Sequence, residues 1–285
     1  MADPGPADAA RTVTAGHREL LLRVGSALVL VPLAIGTAYL GGWPFALFWS
    51  VAALGVFWEW SALVAGDARR TVFLAGGAAL AVSSGLAAVG RFTTAIVVAA
   101  AGMIAAGPMA PARHRGWAAG GVPYAGAIGF APIALRSDAE DGFLAVIFLF
   151  AIVWTTDIVA YFLGRLIGGP KLLPRVSPKK TWSGAISGLI AAVLAALAVA
   201  AAAGLSGLLS IALVAAALSC VAQAGDLFES GLKRRFGAKD SSHLIPGHGG
   251  LMDRLDGFVL AAAVAALIGT LRGGIEAPAH GLLVW

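Results

Sequence analysis

Charge is scarce in this chain. Asp, Glu, Lys and Arg make up 12% of its 285 residues, against 59% hydrophobic residues. A soluble domain averages about 25% charged residues, so a water-exposed globule is excluded. Cysteine is nearly missing as well. Cys220 stands alone in an apolar run, which rules out an intramolecular disulfide and predicts a small buried hydrophobe. A Gly-rich Walker loop, a His-Glu-x-x-His pair, paired cysteines and a Gly-x-Ser-x-Gly elbow are all lacking, which removes the routes to chemistry that those motifs carry. A cleavable signal peptide is lacking too: the first apolar run is too long and has no convincing cleavage site, so it is expected to remain as a span.

What is present is hydrocarbon-compatible length. Mean hydropathy is +0.86, and a membrane span needs roughly 20 mostly apolar residues. That rule gives nine candidate spans, at about 24–41, 44–64, 71–89, 92–108, 117–135, 143–164, 184–204, 206–224 and 257–271. The expected fold is an all-α polytopic membrane helix bundle. The fifth span holds Pro123 and Pro132, which blurs its limits. Residues 1–20 read as a disordered cytoplasmic N-terminus, 21–140 as an N-terminal transmembrane region, and 141–285 as the region carrying the chemistry, with inner loops at 165–183 and 225–256.

Nine spans with the N-terminus inside place 17 of the 20 Lys and Arg on the inner side and leave only Arg91, Arg136 and Arg272 outside. This satisfies the positive-inside rule and predicts N-in, C-out. The net charge of +5 follows from topology and from attraction to anionic headgroups. Nothing resembles a nucleic-acid module. Glu59, flanked by Trp58 and Trp60, reads as an interfacial acid that hydrates or pairs with Arg69 or Arg70.

Four polar constellations remain. Asp157, Tyr161 and Arg165 recur every fourth residue, near one helical face. Asp157 then lies about 12 Å deeper than Arg165. An acid at that depth is costly unless it is paired or faces water, so Asp157 is expected to line a polar cavity. Gly168 to Gly184 is rich in proline and glycine and cannot be a regular helix. Its Lys179, Lys180 and Thr181 stand just before a helix start, where ammonium groups and backbone N–H groups can meet phosphate. Asp226, Ser230 and Lys233 share a face if helical, with Glu229 alongside. A carboxylate, a hydroxyl and an ammonium so stacked suit a divalent metal and the phosphate it bridges. Finally, Lys239-Asp240 precedes Pro246-Gly-His248-Gly249-Gly250-Leu-Met-Asp253-Arg254-Leu-Asp256. Its glycines permit close approach to a ligand, His248 could donate to a phosphate or orient a ligand, and Asp253 and Asp256 share a face at a helix start. The Asp-Gly-x-x-Ala-Arg motif of CDP-alcohol phosphotransferases does not occur. Metal-assisted phosphoryl or nucleotidyl transfer is the most economical chemistry.

The residues Ser230, Lys233, Arg234, Lys239, Asp240, Pro246, Gly247, His248, Gly249, Gly250, Asp253, Arg254 and Asp256 also resemble, in order and spacing, the signature of the bacterial phosphatidate cytidylyltransferase (CDP-diacylglycerol synthase) family. Asp157, Ala160, Tyr161, Gly164 and Arg165 resemble it upstream, as do Ser177, Pro178, Lys180 and Thr181. The resemblance is specific over about residues 150–260 and only topological before 140. One departure is Ser183-Gly184, where the family usually has Glu-Gly.

The resemblance implies a reaction of CTP with phosphatidic acid that gives CDP-diacylglycerol and pyrophosphate, by in-line attack of the lipid phosphate on the α-phosphorus. It implies Mg²⁺ on Asp226 and Asp253 with Asp256 close by, a second cation such as K⁺, and catalytic roles for Asp226, Lys233, Asp253 and Asp256. Phosphates would be held by Lys233, Arg234, Lys239 and Arg254, with Lys180 closing from the other loop. Thr181, Ser230, His248, Gly249, Gly250 and Asp157 would complete the substrate site. It further implies a homodimer in the bacterial cytoplasmic membrane with the site facing the cytoplasm. A CTP-dependent polyprenol kinase is the nearest rival, separable by its products. An anion transporter fits less well, because the charges cluster in one half of the chain near one interface.

Overall fold

The structure, a computed structural model, describes residues 25, 28–242, 244 and 249–285. The expected disordered stretch 1–20, the topology residues Arg11, Arg18 and Arg23, and Pro246, Gly247 and His248 lie outside the described residues.

A helix stands at each of the nine candidate spans. They are α1 (Leu28–Leu40), α2 (Gly42–Ala65), α3 (Arg69–Ala88), α4 (Phe92–Met109), α5 (Arg115–Arg136), α6 (Gly142–Ile167), α7 (Trp182–Ala202), α8 (Leu208–Arg235) and α9 (Met252–Gly273). A short α10 (Pro278–Leu283) closes the chain. Seven helical segments among the described residues are long and apolar enough to cross a membrane. The longest, Gly42–Ala88, has 47 residues and comprises α2 and α3 joined through a single 3₁₀ turn at Gly66–Ala68. At about 1.5 Å per residue that is twice a bilayer. It folds back on itself, with Phe57 stacked on Phe73 across the turn. Pro123 and Pro132 both sit inside α5, so neither ends it.

The fold is not purely helical. Between α6 and α7 lies an antiparallel hairpin of β1 (Lys171–Leu173) and β2 (Ser177–Thr181). The 165–183 loop is thus an ordered device. The 225–256 loop also shrinks. α8 continues to Arg235 and α9 begins at Met252, so its polar residues sit mainly on helix ends. A hydropathy window stops at the first charges, whereas backbone hydrogen bonding does not.

Alternate connections gather at opposite ends. Glu59 binds the 241–252 segment, His114 and Trp117 pack on Phe236, and Lys180 pairs with Asp226. This end therefore collects 66–68, 110–114, 168–181, 236–242 and 249–251. At the other end Arg136 donates to Ala38 O, His280 pairs with Asp141, and Gly207 lies against Trp285. Glycines set the closest approaches. A Cβ on Gly184 would stand 2.6 Å from Ala160 O, so α6 and α7 touch backbone to backbone, as small residues allow in membranes. Cys220 is exposed on the outside of the bundle, which corrects the expectation of a buried thiol. In a membrane the outside of a span is also apolar, so a thiol gains little by turning inward.

Candidate active site

The site is built at the end that gathers the loops, from α2, α6, the β-hairpin, α8 and α9. Asp226, Glu229, Ser230 and Lys233 form a polar strip on the last three turns of α8. Lys180, carried on β2, makes an ion pair with Asp226. Thr181 ends that strand and caps α7, its Oγ1 accepting from Gly184 N at 3.2 Å. Ser183, at the family's glutamate position, instead ties the hairpin base by donating to Gly168 O and bonding Thr181 Oγ1. Ser230 Oγ donates to Asp226 Oδ1 at 3.4 Å.

Lys233 Nζ lies between two acids, 2.6 Å from Glu229 Oε2 and 2.5 Å from Asp253 Oδ1. The other oxygen of Asp253, Oδ2, accepts from Ser241 N and Gly250 N at 2.9–3.0 Å, and Ser241 Oγ lies 2.9 Å from it, sharing one proton between Asp253 and Glu59. Both oxygens of Asp253 are therefore occupied by protein groups. Asp256, one turn further along α9, lies within electrostatic reach of Asp226, Glu229 and Asp157. Asp157 in turn faces Asp226, Lys180 and Arg254. Four of the sequence-predicted residues thus meet Lys180 and Lys233 in one cluster.

At formal charges, Asp157, Asp226, Glu229, Asp253 and Asp256 outweigh Lys180, Lys233 and Arg254 by two negatives. Among the described residues no three His, Cys, Asp or Glu side chains converge on one point. Mg²⁺ commonly takes one or two carboxylates and completes its shell with water and substrate phosphate. The hard oxygens of Asp226 and Asp256 fit such a half-site. Glu229 Oε1, buried without a hydrogen-bond donor beside them, leaves further negative charge to be met.

Other predicted residues stand apart. Arg234 and Lys239 are exposed, and Arg234 Nη1 donates to Ala238 O where the chain leaves α8. Gly249 adopts φ +83°, the left-handed region that glycine favours. The close approach at Gly250 is to protein: a Cβ there would sit 1.8 Å from Ser241 Oγ and 2.8 Å from Glu59 Oε2.

That contact exposes the residue that sequence reading missed. Glu59 does not hydrate, and its partners are not Arg69 or Arg70. Arg69 lies over the Trp58 ring instead. Glu59 is fully buried. Its Oε1 accepts from Ser242 Oγ (2.5 Å) and Leu251 N (2.8 Å), and its Oε2 from Ser241 Oγ (2.9 Å) and Met252 N (2.7 Å). α9 has no side-chain cap of its own; Glu59 supplies one from 192 residues away. A carboxylate is well placed there by the helix dipole. The only advance signal was an acid close to the membrane in an otherwise quiet half.

A bundle of long apolar helices, with a carboxylate cluster and ion-paired lysines at one end, defines an integral membrane enzyme of phosphoryl or nucleotidyl transfer. Residues 21–271 match the Cytidylyltransferase family, and the chain belongs to that family. It is 43% identical over 264 residues to a phosphatidate cytidylyltransferase of Brucella suis, covering 91% of this chain and 96% of the relative. It is 44% identical over 257 residues to one from Brucella abortus, covering 88% and 94%. A phosphatidate cytidylyltransferase of Rickettsia bellii is 39% identical over 146 residues, 49% of this chain and 63% of that protein.

Proposed function

We propose that the protein transfers the cytidylyl group of CTP to phosphatidic acid, releasing pyrophosphate and forming CDP-diacylglycerol for phospholipid synthesis. The observation that carries this reading is the ion pair of Asp226 on α8 with Lys180 from the hairpin, within electrostatic reach of Asp157 on α6 and Asp256 on α9, with Lys233 two turns along α8. Two polyanions and a cation need such a site: acids for the cation, ammonium groups for the phosphates, and walls in the membrane for the lipid.

The chain's own groups have little covalent work to do, because the phosphatidate oxygen is already anionic. Lys180 exchanges Asp226 for a phosphate of CTP when the nucleotide arrives. Ser230 keeps Asp226 Oδ1 oriented. Lys233, tied to Glu229 and Asp253, holds a fixed positive charge against the triphosphate. Arg234, Lys239 and Arg254 draw the nucleotide in from the water side, with Thr181 and Gly249 beside it. Alignment of the two reacting phosphates supplies the main acceleration. Asp226 and Asp256 would hold Mg²⁺, which when bound neutralises charge on the phosphates; the family resemblance adds a second cation such as K⁺. The family resemblance gives Asp253 to the metal as well. Asp226, with Lys180 and Ser230 on its oxygens, and Asp253, with Lys233 on one of its own, would each have to release a lysine to touch the metal.

Fourteen of the twenty Lys and Arg lie at the end that bears the site, against Arg91, Arg136 and Arg272 at the other. By the positive-inside rule that end is cytoplasmic, with nine spans, N-in and C-out in the bacterial cytoplasmic membrane. A homodimer is retained from the family.

The test uses purified protein, phosphatidic acid, Mg²⁺ and CTP labelled at the α-phosphate. Label should enter the organic phase as CDP-diacylglycerol and fall at least a hundredfold in Asp226→Asn. Label that stays aqueous with folded wild-type protein would refute the reading.

A further inference from the structure

A cavity of about 530 Å³ lies between α2, α5, α8 and α9. It enters none of the roles above. Trp60, Trp117, Tyr124 and Phe228 form its aromatic walls, with Leu260 at the back. Arg113 stands exposed at its mouth, and the Arg235 guanidinium lies 5.3 Å from the centre of the Trp117 ring. The cavity thus runs from a cationic rim at the water-side end of α5 to Tyr124, about 12 Å deeper along that helix.

Its room comes from α5. Gly116 and Gly120 are one turn apart on the cavity face, and a Cβ at either would meet nothing within 4 Å. Its polar equipment is sparse. Trp60 Nε1 is spent on Trp117 O at 2.8 Å. Tyr124 is 7% exposed, and its hydroxyl is buried with no hydrogen-bond partner. Of the charges that act on that hydroxyl, Asp256 acts most strongly, and Leu260 is the next residue on the same face of α9. The Tyr124 end of the cavity therefore lies within electrostatic reach of the carboxylates.

A cytosine ring placed here would bury three hydrogen-bonding edges against Arg113 and one phenol, leaving others unpaired at about 1–3 kcal/mol each. A hydrocarbon chain would lose nothing. The volume falls within the usual range for small-molecule sites. The rim charge suits the anionic end of the same ligand.

We propose that this cavity is an acyl-chain site for the lipid substrate, with the anionic headgroup at the Arg113 rim and Gly116 and Gly120 setting which chains fit below it. The inference rests on phosphatidic acid being the acceptor. A leucine at position 120 fills the groove between Trp117 and Tyr124.

The test compares dioctanoyl and dioleoyl phosphatidic acid in mixed micelles, using wild-type protein and Gly120→Leu with α-labelled CTP. The expected result is a fall of at least tenfold in the dioleoyl-to-dioctanoyl ratio of kcat/KM. An unchanged ratio, or a loss expressed only in the KM for CTP, overturns the proposal. Because Gly120→Leu could fail to fold, wild-type protein is also photolabelled with a phosphatidic acid that carries a diazirine midway along one chain. Label in peptides containing Trp117–Tyr124 and Leu260 supports the site, and label confined to other helices overturns it. If wild-type protein transfers no cytidylyl group to any phosphatidic acid, the acceptor reading fails by itself. Photolabelling still shows whether an anionic lipid occupies the cavity.

Discussion

Removing the Glu59 carboxylate should open the active-site end of α9 while leaving the rest of the bundle in place. Each of its oxygens receives one backbone N–H and one serine hydroxyl. Hydroxyls can rotate to find another acceptor, but the N–H groups of Leu251 and Met252 cannot. In Glu59→Ala two helix-start donors lose their acceptor inside protein, at about 1–3 kcal/mol each. The lost capping of α9 is part of the same sum. A local cost of about 3–5 kcal/mol results.

Glu59→Gln keeps one oxygen and turns an amide against one N–H, so about 1–3 kcal/mol is expected. Ser241 is also an Asp253 partner, so the loss passes to the Asp253–Lys233 pair. Hydrogen exchange of peptides spanning 241–256 should quicken about a hundredfold or more in the alanine variant and less in the glutamine variant. The first turns of α3 and α4 should not change. Cytidylyl transfer should fall in the same order, chiefly in kcat. Unchanged exchange at 241–256 in Glu59→Ala would refute the trans-capping argument, and inactivity without faster exchange would move Glu59 into direct chemistry.

Other substitutions probe separate links. Lys180→Gln should raise the KM for CTP about tenfold, since a charge-assisted contact from the hairpin is lost; titration of initial rates checks this. Gly250→Ala inserts a methyl group 1.8 Å from Ser241 Oγ and 2.8 Å from Glu59 Oε2. It should cost about 1–3 kcal/mol, seen as a lower thermal midpoint with reduced activity. Cys220 in closed vesicles should react with a membrane-soluble maleimide and resist a charged one, because it faces outward from a span. Chelation by EDTA should abolish transfer, and Mg²⁺ should restore it; activity that survives exhaustive chelation would remove the metal role of Asp226 and Asp256.

Much of this was legible in the sequence because a membrane imposes one-dimensional rules. Each apolar run near twenty residues became a helix, and the i, i+4, i+7 spacing of Asp226, Ser230 and Lys233 did place them on one face. Lys180 and Asp226, 46 residues apart, met because alternate connections must share an end. Three things were hidden. Hydropathy does not say which side of a span faces protein, so Cys220 was placed inward. Charges that end an apolar run do not end a helix, so α8 and α9 reach further into the 225–256 segment than expected. Glu59 lies between two tryptophans that suggest an interface, and its partners are 182–193 residues away. No local pattern carries such a pairing.

Beneath the acids the bundle changes character. Thr156 Oγ1 and Ser219 Oγ bond each other at 2.8 Å, and Gln223 Nε2 donates to Ala185 O. Past that rung come Leu149, Ile152, Ala192, Ala196, Ala215 and Leu218, all buried. The rung satisfies its own polar groups and offers no onward relay. A cell that keeps an ion gradient across its membrane could not tolerate five carboxylates opening onto a continuous polar path. Here the acids stop partway, above a dry plug. A cation held by those acids would find no polar way onward through the bundle, and an ion gradient across the membrane would not leak along it.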